Sequence, residues 1–305
     1  MRALPLAFEG RKWIELALDY RCNLRCLGCH ACHDTGERLS SSEAVSLLRA
    51  GRDRGIDSLW LGGGEPTLRD DLLSLVRAAR AMGYVAVVVQ TNGMRLSYAA
   101  YRDALLAAGV TEVRLNVKSH RAEVHDRLSG GEPCHALLLD AIAGLAKAGT
   151  KMTADVLLTK TSAPDLPALV PFYAERGVAA FDLWLLSAWD APEAAGEVPR
   201  IADLVPLLAE ATGAAKSHGV RLASFHTPPC TLPPELRSLF SPAGELSLLV
   251  VGPDRRPFPL EASPFEGGAY LEGCARCAER PRCGGPRPDY VKLYGDGEFV
   301  AIPRV

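Results

Sequence analysis

Short apolar runs alternate with longer amphipathic stretches through the first two-thirds of the chain. Residues 13–18, 58–61, 85–89, 112–117, 153–158 and 180–186 read as strands. Helical patterns fill the intervals near 41–53, 69–82, 97–108, 135–148, 165–176 and 201–218. Most of the strand runs are rich in Val and Leu without clean alternation, as expected of parallel strands covered on both faces. The succession is that of βα units joined by right-handed crossovers. Six such units fit before about residue 218, whereas eight would close a full barrel. The expected fold is therefore α/β, a partial (β/α)6 barrel.

Beyond residue 218 the texture changes. Pro228-Pro229-Cys230 and Pro233-Pro234 break any helix. Residues 246–251, the turn Gly252-Pro253-Asp254, and residues 256–260 read as a hairpin, followed by a Cys-rich segment at 274–285. This divides the chain into a barrel core at 1–220 and a small C-terminal Cys-rich hairpin extension at 221–305.

Composition narrows the function. The formal charge of −2 over 305 residues excludes general nucleic-acid binding through phosphate contacts. No run approaches the roughly 18–20 apolar residues of a membrane span, and the first ten residues lack a long apolar stretch, so no secretory signal is expected. The expected location is cytoplasmic. There, nine cysteines read as metal or redox chemistry before disulfides, and their odd number argues the same way.

Cys22, Cys26 and Cys29 follow the first strand with the spacing C-x3-C-x2-C, on a loop at a strand's C-terminal end, where α/β barrels place their chemistry. Thiolates are the ligands that iron–sulfur clusters select. Three would hold three irons of a cubane and leave one iron open. A zinc site completed by His30, Cys32 or His33 is the competing reading.

The second strand ends in Gly62-Gly63-Gly64-Glu65-Pro66, the third in Gln90-Thr91-Asn92-Gly93, and the fourth in Leu115-Asn116-Val117-Lys118-Ser119. With the cysteine loop, these segments resemble the radical S-adenosylmethionine (radical SAM) enzymes over residues 12–218. The resemblance implies a 4Fe–4S cluster on Cys22, Cys26 and Cys29 whose open iron binds SAM. It implies SAM contacts from Gly63, Gly64, Glu65, Pro66, Asn92, Asn116 and Lys118, and reductive cleavage of SAM to a 5′-deoxyadenosyl radical that abstracts a substrate hydrogen. One residue departs from the pattern. The position before the third cysteine is usually aromatic and lies against the adenine; here it is Gly28, and His30 is the candidate substitute.

Near the C-terminus, Cys274, Cys277 and Cys283 give C-x2-C-x5-C-G, and Cys230 precedes the expected hairpin. This resembles the twitch and SPASM extensions of radical SAM enzymes, which implies one auxiliary 4Fe–4S cluster held by the four thiolates. A structural zinc site is the alternative. Cys134 reads as a small buried apolar residue. His125-Asp126 reads as a helix-start or surface pair, and Arg276, Arg280, Arg282 and Arg287 as a local positive patch. Trp184, Trp189 and His226 are candidate substrate contacts.

The expected function is modification of a ribosomally made peptide, with electrons from a donor such as flavodoxin or ferredoxin. A small-molecule oxidoreductase is the alternative, and a non-catalytic metal or electron carrier is a third reading.

Overall fold

The apolar runs pair with one another. The computed structural model, which describes residues 10–29 and 36–304, places nine strands in one sheet. They are β1 (Trp13–Ala17), β2 (Ser58–Gly62), β3 (Ala86–Thr91), β4 (Glu112–Val117), β5 (Lys151–Leu158), β6 (Ala180–Leu185), β7 (Arg221–Ser224), β8 (Leu248–Val251) and β9 (Pro257–Pro259). Their order is β7-β6-β5-β4-β3-β2-β1-β8-β9. Every pairing is parallel except the β8–β9 hairpin. β7 and β9 form the two edges, so the sheet is open, as a partial barrel requires.

The helices are α1 (Ser41–Arg52), α2 (Leu72–Ala81), α3 (Ala99–Ala108), α4 (Ala122–Ser129), α5 (Cys134–Lys147), α6 (Leu166–Ala174), α7 (Ile201–His218) and α8 (Pro288–Tyr294). Local chemistry starts α1. Ser40 Oγ accepts from the Glu43 N–H at 3.2 Å, and the Glu43 carboxylate accepts from the Ser40 N–H at 2.8 Å, a reciprocal cap. The extra helix α4 is eight residues long and polar. It buries only two apolar side chains, Val124 and Leu128, too short a pattern to read in advance.

The strands alternate more than their composition suggests. Ile14, Leu16, Leu59, Leu61, Val87 and Val89 belong to the main hydrophobic core. The intervening positions Glu15, Trp60 and Gln90 face the other way and line a cavity, as the two-residue period of a strand dictates. One face is thus apolar against the helices, and the concave face is polar and aromatic. At its floor Arg114 donates through Nε to Asp155 Oδ2 at 3.1 Å and also bonds Asp182. Arg221 reaches Asp182 at 2.7 Å, and the Arg114 guanidinium lies 4.4 Å from the Trp60 ring centroid. A buried charge needs this degree of pairing to be tolerated.

The sheet does not stop at residue 220. β7 extends it past the sixth unit, and β8 pairs with β1 from Trp13↔Leu248 to Leu16↔Val251. The strand that leads into the cysteine loop is therefore flanked by β2 on one side and by a strand of the C-terminal part on the other.

Candidate active site

β1 delivers the chain directly into the loop of Cys22, Cys26 and Cys29. Two neighbours hold that loop. On one side the turn after β2 binds it through Gly64 N–H to Asp19 O and Glu65 N–H to Arg21 O, both at 2.8 Å. On the other, Leu27 N–H donates to Leu128 O at 3.0 Å, at the end of α4. A Cβ on Gly63 would lie 2.3 Å from Asp19 O, and one on Gly64 would lie 2.2 Å from Arg21 O. Both glycines are thus demanded by the cysteine loop itself, which packs against them backbone to backbone.

Glu65 has a second task. It is buried, and its Oε1 accepts from Thr67 N–H at 3.0 Å, Thr67 Oγ1 at 2.6 Å and Thr91 Oγ1 at 2.8 Å. Oε2 accepts from Asn92 N–H at 2.8 Å. The carboxylate therefore ties the β2 turn to the end of β3, and only Oε2 keeps free acceptor capacity. Burial raises the Glu65 pKa, while the bonds from Thr67, Asn92 and Thr91 oppose that shift. Pro66 is buried and begins a short helical turn.

Cys22, Cys26 and Cys29 share a cavity of about 130 Å³ with Gly63, Gly64 and Glu65. Asn92 and Asn116 also line it; Lys118 does not, and instead bonds Asn116 Oδ1 while facing the larger cavity next door. His125 and Ser129 of α4 complete the wall, two residues that no motif marks. His125 is a buried residue inside α4, so the helix-start or surface reading fails for it. Its Nδ1 accepts from Lys118 N–H at 3.3 Å, and burial pushes its pKa down to about 3. Asp126 is also buried and accepts from His135 N–H at the start of α5 at 2.6 Å.

Burial pushes the Cys22 thiol up to about 11, opposed by the Leu24 N–H that donates to Sγ at 3.4 Å. A thiol in this setting ionises readily only beside a cation, as metal ligands do. Among the described residues no three His, Cys, Asp or Glu side chains converge on one ion. A cubane makes no such demand, because each thiolate addresses a different iron. The chemistry of the three thiols, which share their cavity with Gly63 and Gly64, is compatible with holding such a cluster.

Gly28 has a physical reason to be glycine. Its φ is +62°, and a Cβ there would lie 2.4 Å from Leu186 Cδ1. Leu186, at the end of β6, fills the space beside the loop. His30, Cys32 and His33 lie outside the described residues.

A larger cavity of about 400 Å³ adjoins the first and shares Cys26, Cys29, Gln90 and Asn116 with it. Trp60, Trp184, His226, Leu248 and Val250 contribute to its walls. Of the three candidate contacts, Trp184 and His226 line this cavity, while Trp189 is exposed and lies outside the lining. Gln90 Nε2 donates to Asp155 Oδ2 at 2.9 Å, Trp184 Nε1 donates to Asp155 Oδ1 at 3.2 Å, and His226 Nε2 lies 3.2 Å from Glu266. His226, Glu266 and Arg287 also line a further cavity of about 270 Å³ toward the C-terminal cysteines. Arg287 is no part of a surface patch. It is buried and donates to Leu185 O at 2.6 Å and Leu186 O at 2.7 Å.

Cys230, Cys274, Cys277 and Cys283 line one narrow cavity. Burial pushes the Cys230 thiol up to about 12, and the proximity of Cys283, Cys277 and Cys274 adds to the shift. Gly285 N–H donates to Cys283 Sγ at 3.4 Å. These thiols are near enough to raise one another's pKa, yet no three of them converge on a single ion. Cys134 stands apart, buried at the start of α5 with its Sγ 4.0 Å from Met94 Sδ. None of the eight described cysteines forms a disulfide.

Residues 19–165 match the family model described as the Radical SAM superfamily. A "Probable GTP 3′,8-cyclase" of Sulfurisphaera tokodaii is 32% identical over 168 residues, 54% of this chain and 53% of that protein. One of Saccharolobus islandicus is 32% identical over 119 residues, 38% of each. The chain thus spans about half or less of the curated relatives it matches. Among solved structures, Streptococcus suis SuiB bound to S-adenosylmethionine superposes with a TM-score of 0.71 at 17% identity, over 95% of this chain and 76% of that one. The anSMEcpe structure with bound AdoMet gives 0.65 at 14% identity, over 94% and 95%. These two likenesses are of fold.

Proposed function

Starting from residues 19–165 as a member of the Radical SAM superfamily, we propose that the chain modifies a peptide substrate at a C–H bond in the 400 Å³ cavity. The observation that carries the reading is the shared wall. Cys26, Cys29, Gln90 and Asn116 border both the cysteine cavity and the larger one, so a reactive species made in the first opens onto a substrate in the second. Cys22, Cys26 and Cys29 are assigned to a 4Fe–4S cluster, and Gly63, Gly64, Glu65, Asn92 and Asn116 to SAM. When bound, these groups supply reductive cleavage of SAM to a 5′-deoxyadenosyl radical.

The chain's own residues position and protect. The backbone of Gly63 and Gly64 and Oε2 of Glu65 present acceptors to an ammonium. Trp60, Trp184 and Leu185, which line the large cavity, keep water from the space where hydrogen abstraction would occur. Pro66 supports the turn from outside the cavity, and Lys118 acts on the substrate side. Cys230, Cys274, Cys277 and Cys283 are assigned to an auxiliary 4Fe–4S cluster in a twitch-like extension. The cavity between, bordered by His226, Glu266 and Arg287 on one side and Cys283 on the other, favours a role in taking an electron from the substrate side.

A peptide is favoured because two cavities of about 400 and 270 Å³, which share His226, Glu266 and Arg287 in their walls, offer more room than a compact metabolite needs. The names of the sequence relatives raise GTP as a second reading, a small-molecule substrate. The cation Lys118 shares the lining with the carboxylates Glu15, Asp155 and Glu266 and bonds Asn116, and the Arg287 guanidinium is bonded to carbonyls, which makes poor provision for a triphosphate. The test is 5′-deoxyadenosine formation by the reconstituted, reduced protein with SAM, followed by mass analysis of candidate peptides encoded beside its gene. Absence of 5′-deoxyadenosine would end the reading. Turnover of GTP with no change in any peptide would replace it by the second.

A further inference from the structure

Glu15 is the acid of the large cavity without a partner. It lies on β1 in register with Trp60 of β2 and Val250 of β8 and lines the same cavity as Cys26 and Cys29. Among the described residues, no hydrogen bond or ion pair reaches its carboxylate, while the other acids there are engaged. Asp155 holds Arg114, Gln90 and Trp184, and Glu266 faces His226.

Gly62 lets both side chains approach the backbone of β2. A Cβ on that residue would lie 3.1 Å from Glu15 Oε1 and 3.4 Å from Gln90 Oε1. The two oxygens therefore lie over Gly62, close to each other. Gln90 is locked in this orientation, because its Nε2 donates to Asp155 and its Oε1 accepts from Trp60 Nε1 at 3.3 Å. A carboxylate beside a fixed amide oxygen makes a pair of acceptors with no donor assigned to the carboxylate. Glu15 is half-buried on the cavity wall, where an unpaired carboxylate is only partly solvated, and the cost of that falls when a cation arrives.

We infer that Glu15 and Gln90 form a recognition site for a protonated amine, so that the substrate class is one presenting a primary ammonium group near the abstracted hydrogen. This deepens the proposed function and rests on its assignment of the large cavity to substrate. Burial and the nearby charges of Asp155 and Glu266 raise the Glu15 pKa to about 7 against the pull of Arg114. That is the behaviour of a site short of positive charge. The same charge opposes a polyphosphate.

Anaerobic calorimetry on the reconstituted protein tests the site with 1-pentylamine, its neutral isostere 1-pentanol, and GTP, at pH 8. The expected result is saturable amine binding at least tenfold tighter than the alcohol, weakened at least tenfold in Glu15→Gln, and no saturable GTP binding. Equal affinity for amine and alcohol, no amine binding, or unaltered amine binding in Glu15→Gln would overturn the assignment. So would competition by SAM for the amine, which would make this a cofactor contact. The amine–alcohol contrast needs no variant and survives a Glu15→Gln protein that fails to fold. Loss of 5′-deoxyadenosine formation by the wild type is a separate readout and would sink the superfamily chemistry instead.

Discussion

The two cysteine sites differ in how they are walled. At the first, three thiols stand on a loop gripped by the β2 turn and α4, and the remaining side gives onto cavities. At the second, four thiols crowd into one narrow space, and only Cys283 of the four borders a wider cavity. A set with one ligand fewer and space beside it suits chemistry; a set closed by protein suits structure or electron transfer. Ligand number and wall together carry the distinction. Spacing along the chain is secondary.

The largest test of that contrast removes the first set. Changing Cys22, Cys26 and Cys29 to Ala should lower 5′-deoxyadenosine formation more than a hundredfold, while about four of eight irons remain if both sites hold cubanes. Loss of all iron would mean that the sites are not independent. Iron and zinc analysis of the wild type sharpens the second half: about eight irons and no zinc is expected. Four irons with one zinc would make the C-terminal site structural. Cys230→Ala should then strip iron from the second site, read as a fall toward four irons, and reduce 5′-deoxyadenosine formation far less than the triple change does.

A smaller effect is expected where the first site meets its support. Gly64→Ala forces a methyl to within 2.2 Å of Arg21 O and should destabilise the protein by about 3 kcal/mol, as overpacking against backbone does. Unchanged melting would show that the grip of the β2 turn is loose.

The smallest concerns pH. Glu15, raised to about 7 from 4.5, binds its proton more tightly in the folded protein than in the unfolded chain. Its contribution to stability is therefore greatest when protonated and declines as pH rises from about 4.5 through 7. The groups named around it are Asp155, Glu266 and Arg114. Melting curves of Glu15→Gln should lack that decline.

Much of this was legible in advance. The first six strands and the helices between them follow from apolar runs and their spacing, and the motif cysteines do line shared cavities. What escaped was either short or distant. β7 is four residues long and opens with Arg, so it resembles a linker. The union of β8 with β1 joins residues more than two hundred positions apart, which no local period reports. Glu15 passed unnoticed because one acid in Trp13-Ile14-Glu15-Leu16-Ala17 looks like an accident until the concave face is seen. The motif of Glu65 points to a ligand contact and is silent on its structural task, in which three of its four bonds go to one oxygen and hold the turn.

The β1–β8 pairing also has a consequence for biosynthesis. When β1 leaves the ribosome its partner β8 has not been made, and translation of the intervening segment takes roughly 10–50 s at ordinary elongation rates. Until then one flank of β1 lacks its ladder, and Leu248 and Val250, which wall the large cavity, are absent. The cavity of the three N-terminal cysteines is lined by residues 22–129 alone, so its walls are synthesised well before the large cavity gains its last ones.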